Sequence, residues 1–147
     1  MKSKILIQIV LLIVLMGSLC FCEKYFTEEW LNTSQYPSSD WTNLNHDNTV
    51  IIINSDSKLK EYFVGTGDNY PNINFSKQTL LIASGMTPYG LYRKNIKGLQ
   101  RILGNRYNLN IELYMGDTAN IDNWAVALIT KKISDNADIK LNVKIKK

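Results

Sequence analysis

The sequence predicts an α+β domain, an antiparallel sheet of about five to seven strands with one main helix after the first strand. Three observations carry this. The apolar run Thr79-Leu80-Leu81-Ile82-Ala83 has the composition of a strand buried on both faces. Two later segments, over 107–115 and 139–146, alternate apolar and polar residues with a period of two, and the strand between them is apolar on both faces. One segment only, around Leu59, Tyr62 and Phe63, carries apolar residues at helical spacing.

The elements follow in order. Thr49-Val50-Ile51-Ile52-Ile53 is β-branched throughout and reads as a buried strand. Asn54 to Ser57 supplies cap candidates for a helix over 58–63, whose Leu59, Tyr62 and Phe63 face the sheet. Gly65 to Pro71 is a loop; its Gly65-x-Gly67 follows a helix and lacks the residues of a phosphate loop. The run over 79–83 is the central strand, expected to stop at Gly85, with a turn from Gly85 to Gly90. Leu91 to Leu103 reads as one bent strand with a bulge at Gly98, the alternative being a helical turn in its second half. Tyr107, Leu109, Ile111, Leu113 and Met115 alternate with Asn108, Asn110, Glu112 and Tyr114. Trp124, Val126 and Leu128 share one face of the next strand, with Ala125, Ala127 and Ile129 on the other. Ile139, Leu141, Val143 and Ile145 alternate with Lys140, Asn142, Lys144 and Lys146 in the last strand.

The first 22 residues read as a secretory signal. Lys2 and Lys4 form its positive start, Ile5 to Met16 its apolar core, and Gly17 to Cys22 its end. A cysteine directly after such a core resembles the lipobox of bacterial lipoproteins, with Cys20 and Cys22 both open as the acylated residue. An ordinary signal and an uncleaved anchor are the alternatives. The expectation is export to a bacterial cell envelope and a lipid anchor in the membrane, since acyl chains contribute about 0.8 kcal/mol per buried methylene. Residues 23–48 are polar and turn-rich and read as a tether with aromatic anchors, among them Tyr36 and Trp41; Thr27 suggests a short helix there. Residues 49–147 form the sheet domain.

Composition narrows the chemistry. The two cysteines both lie in the leader, so the domain has no disulfide, no thiolate nucleophile and no cysteine metal site. With a single histidine, His46, zinc and copper sites of the usual kind are not expected, and neither is a cofactor. The formal charge of +4 falls to +2 without Lys2 and Lys4, which is too little to argue for nucleic acid. Locally, every charge between Asp68 and Glu112 is positive (Lys77, Arg93, Lys94, Lys97, Arg101 and Arg106), a solvated strand edge or a basic face for an anionic ligand.

No Gly-x-Ser-x-Gly elbow is present. Asp117 and Asp122 flank a loop where paired carboxylates could perform hydrolysis. Tyr36 and Trp41 could stack on a glycan. Tyr70, Tyr89, Tyr92 and Arg93 stand on or beside the two glycine/proline turns around the central strand, and tyrosine and arginine are interface anchors. The expected function is therefore a non-catalytic surface domain that binds another protein. A carbohydrate-binding module is the alternative, and a carboxylate hydrolase the third reading.

The order of helix, Pro71-x-Ile73-Asn74-Phe75-Ser76-Lys77, hydrophobic strand, Gly90 turn and the Trp124-Ala125-Val126 strand also resembles a known group. These are small exported bacterial lipoproteins with a domain similar to the C-terminal domain of the protease complex B protein. The resemblance covers about residues 49–147 and implies an accessory, protein-binding role at the cell surface, without catalysis.

Overall fold

The computed structural model describes residues 29–31, 33–36, 40–65 and 70–147. The leader with Cys20 and Cys22 lies outside them. The strands are β1 (Glu29–Leu31), β2 (Thr33–Tyr36), β3 (Thr49–Ile53), β4 (Gln78–Thr87), β5 (Leu91–Leu103), β6 (Arg106–Met115), β7 (Asp122–Lys131) and β8 (Asp138–Lys146). One helix, α1 (Asp56–Tyr62), follows β3. Among the described residues the fold is largely β, with one short helix.

The strands divide into two four-stranded sheets, the first in the order β1-β5-β6-β8 and the second in the order β2-β7-β4-β3. This corrects the single antiparallel sheet expected from the sequence. Alternation shows that a strand has two faces; it does not show which sheet the strand joins. The side chains between the sheets form the main core. Leu99, Leu109, Ile111 and Leu113 come from the first sheet and meet Leu81, Ala83, Trp124, Val126 and Leu128 from the second. A second apolar layer lies on the far side of the second sheet, where Leu80, Ile82 and Ala127 pack beneath Leu59 of α1, Ile53 and Phe63. Thus β4 is buried on both faces, as its continuous apolar run requires. Fully burying each of these large side chains stabilises by about 1.5–3 kcal/mol.

The helix starts where the sequence places a cap. Ser55 has extended backbone, and its Oγ accepts a hydrogen bond from Lys58 N at 3.3 Å. The Leu91 to Leu103 stretch is one strand, and its register against β6 slips at three places. Ile96 faces Ile111 and Gly98 faces Asn110, so Lys97 is the extra residue of a bulge beside Gly98, whose φ of 134° suits glycine alone. Gly104, at φ 56°, turns β5 into β6.

Three further expectations change. The helix suggested near Thr27 is replaced over Glu29–Leu31 by strand, and the supposed tether gives one strand to each sheet: β1 pairs with β5 and β2 with β7. Gly85 does not end the central strand; β4 runs on to Thr87 with Gly85 opposite Trp124. A Cβ there would lie 2.8 Å from Trp124 Cζ2, with Asn48 Oδ1 closer still, so the glycine marks a close approach inside the strand. Finally, β8 pairs with β6 in parallel. Because β7 lies in the other sheet and reverses the chain once, β8 returns alongside β6 pointing the same way. The crossing is held by Thr79 Oγ1, which accepts from Ile133 N at 3.0 Å and donates to Asn54 Oδ1 at 2.5 Å.

Candidate functional site

The β4–β5 turn and the β6–β7 loop come together at one end of the sandwich. Gly90 N donates to Thr118 O and Gly116 N donates to Gly90 O, both at 2.8 Å. Asp122 Oδ2 accepts from Leu91 N at 3.1 Å, and Thr87 Oγ1 bonds Tyr89 O at 2.8 Å. The glycine at 90 is required because a Cβ would press on the Thr118 side chain. Backbone bonds between two loops fix their shape without using side chains, leaving those free for contact.

On this frame stand exposed apolar groups. Tyr92 is 81% exposed and Ile121 78%, and both border a recess of about 510 Å³ with Gly90 and Thr118. Tyr89 and Met86, also exposed, belong to the same turn region. Tyr92 owes its exposure to backbone geometry. Leu91 faces Met115 and Arg93 faces Tyr114, so Tyr92 has no residue opposite and bulges outward. Isolated apolar residues on a surface are ordinary, whereas several on one rigid rim mark a contact face.

Arg93 is next to this rim, and its guanidinium carbon sits 4.3 Å from the centre of the Tyr114 ring. That stacking holds the cation while leaving its edge exposed. Tyr70 does not join the group. It packs edge-on against Phe63 with centroids 5.8 Å apart, in the helix-side core, and its hydroxyl donates to Asp56 O. Burial, with Asp56 adding to it, raises its pKa above the ordinary tyrosine value. Tyr36 and Trp41 lie 5.9 Å apart but cross at 62°, edge to face, and both are only half exposed; a sugar-stacking platform needs coplanar open faces. Asp117 and Asp122 both border the recess, but Asp122 is occupied in bracing Leu91.

The run of cations between Lys77 and Arg106 does not make one face. Lys94 Nζ donates to Ala125 O at 3.0 Å, Arg101 Nε donates to Gly104 O, and Arg106 stands 3.6 Å from Asp138. Arg93 and Lys97 are on the outer face of the first sheet, which also carries Lys144 and Lys146. At its centre Glu112 is held by Lys146 at 2.8 Å and Lys97 at 3.1 Å, and accepts from the Tyr114 hydroxyl. Those bonds, Lys146 first, pull the Glu112 carboxyl down to about 2.

Among the described residues no group of three histidine, cysteine, aspartate or glutamate side chains could hold a metal ion, and no helix is long and apolar enough to cross a membrane. Ile121 and Met86 escaped the sequence reading. A lone isoleucine between Asn120 and Asp122, in an otherwise polar loop, was the signal available for the first. No family model matches the chain, and neither do any curated protein or any solved structure.

Proposed function

We propose that this protein is a non-catalytic binding domain that presents the Tyr92–Ile121 rim to a partner protein at the cell surface. The leader, with Cys20 or Cys22 acylated, holds it to the envelope membrane. The observation that carries the reading is the pair of large apolar side chains, more than three-quarters exposed, on two loops tied backbone to backbone. Aromatic residues on a preorganised surface bind with little loss of conformational entropy. The resemblance to the protease complex B C-terminal domain supports the same accessory role.

The test is a photo-crosslinking amino acid placed at Tyr92, with a control at Lys58 on α1, in the natively processed protein. A discrete protein adduct from position 92, absent at position 58 and lost in Ile121→Ser, supports the proposal. Equal adducts from both positions, or none from either, overturn it. Mass spectrometry of the N-terminal peptide decides the anchor: acyl chains on Cys20 or Cys22 support it, and an unmodified peptide removes it.

A further inference from the structure

A second cleft lies where β2 leaves the edge of β7 uncovered. The last register pair between these strands is Tyr36 with Ala127, so on the edge away from β4 the stretch of β7 from Asp122 to Val126 has no described strand against it. Its floor is that edge, its walls Lys94 of β5 and the segment from Trp41 to His46, and its volume about 360 Å³. Size and setting suit a single small molecule.

The cleft carries donors, a cation and no carboxylate. Trp41, His46 and Trp124 all border this cleft, and each has a ring nitrogen shut away from solvent without a hydrogen-bond partner: Nε1 of both indoles and Nδ1 of the imidazole. Trp124 as a whole is 1% exposed. An indole N–H only donates, so two of the three groups require an acceptor. A buried donor left unmade costs about 1–3 kcal/mol. The neighbours add donors. The Lys94 ammonium reaches over the edge to the Ala125 carbonyl at 3.0 Å, and strand alternation puts the N–H and C=O groups of Asn123 and Ala125 on the same edge, the Ala125 carbonyl being taken by Lys94. No carboxylate lines the cleft.

The wall is held in an unusual conformation. Asn43, His46 and Asn48 have φ of 54°, 52° and 54°, the three positive values at non-glycine residues among those described. Asn43 Nδ2 clamps this segment to Glu61 O at 2.6 Å, and Thr42 N bonds Tyr62 O at 2.9 Å. Left-handed residues gathered on one segment beside unpaired buried donors are a mark of ligand sites.

We infer that the cleft between Lys94, Trp41 and Trp124 binds the oxyanion group, carboxylate or phosphate, of a small molecule. Lys94 supplies the charge, the N–H groups of the β7 edge supply fixed donors, and no carboxylate lines the cleft to repel the ligand. This site is separate from the Tyr92–Ile121 rim and does not depend on a protein partner being found there.

Two probes distinguish the sources of the oxyanion: glucuronate, a carboxylate on a sugar ring, and inorganic phosphate. Each is titrated into the purified full-length chain at constant ionic strength, following indole fluorescence and calorimetric heat. Saturable binding of at least one probe is expected, weakened about tenfold or more by Lys94→Gln, which removes the charge. Lys60→Gln, on α1 and outside the cleft lining, should bind as the parent does. Lys94→Gln alters an exposed side chain, so the test does not depend on a core substitution. Failure of both probes to bind at millimolar concentration overturns the inference, as does undiminished binding by Lys94→Gln.

Discussion

Lys97 reaches Glu112 from a bulge: its ammonium lies 3.1 Å from Glu112 Oε2, although no residue of β6 stands opposite it. The extra residue lets a lysine lean over a carboxylate that Lys146 already holds at 2.8 Å from the neighbouring strand. One acid thus ties β5, β6 and β8 together across the outer face of the first sheet, and its side chain is 10% exposed.

That arrangement makes stability depend on acid. The Glu112 carboxyl is lowered to about 2, with the Lys146 bond as the largest cause, from an ordinary glutamate value of about 4.3. Its contribution is present above the unfolded value and is lost as pH falls through the folded one. Glu112→Gln should therefore melt lower than the parent near neutral pH and converge with it as pH approaches about 2. Thermal denaturation followed across that range checks both limbs.

Thr79→Val keeps the shape of a buried side chain and removes its hydroxyl. Ile133 N–H and Asn54 Oδ1 then lose the hydroxyl they bond at the crossing into β8. The cost expected is about 1–3 kcal/mol in denaturant unfolding, with hydrogen-exchange protection falling first at Ile133.

Gly85→Ala sets a methyl group against the Trp124 ring and Asn48. Overpacking of this kind costs about 1–3 kcal/mol. The variant should also change the Trp124 fluorescence, since the ring must shift to admit the methyl. An unchanged spectrum and midpoint would show that the contact yields without strain.

Tyr92→Ala, in contrast, should leave the unfolding free energy within about 0.5 kcal/mol of the parent, because an 81% exposed side chain packs on little. Loss of the crosslinked adduct by this variant at full stability separates a contact role from a structural one.

The elements themselves were legible where burial imposes a period. The alternation of 107–115 and 139–145 and the helical spacing of Leu59, Tyr62 and Phe63 each named an element that formed. What escaped depends on distant partners. Thr33-Ser34-Gln35-Tyr36 has little apolar content, and it is a strand because β7 offers an edge to pair with. Gly85 looks like a strand's end until Trp124 is found opposite it. The same holds for function. Tyr89 and Tyr92 announced themselves by standing at a glycine turn, but the bulge that turns Tyr92 outward is a matter of register. The oxyanion cleft draws on Trp41, His46, Lys94 and Trp124, which nothing in linear order connects.

The direction of the two outer strands of the first sheet has a mechanical consequence. β1 is antiparallel to β5, β5 to β6, and β8 is parallel to β6, so β1 and β8 run the same way. The chain therefore comes into the sheet at one end and leaves it at the opposite one. Under the proposed anchor, tension between the N-terminus and a load on the C-terminus would run along the strands. It shears their ladders, loading many hydrogen bonds together instead of peeling them one by one. Because β1 continues into β2, the same pull is shared with the second sheet. A sheet with this strand order resists being pulled apart through its two ends.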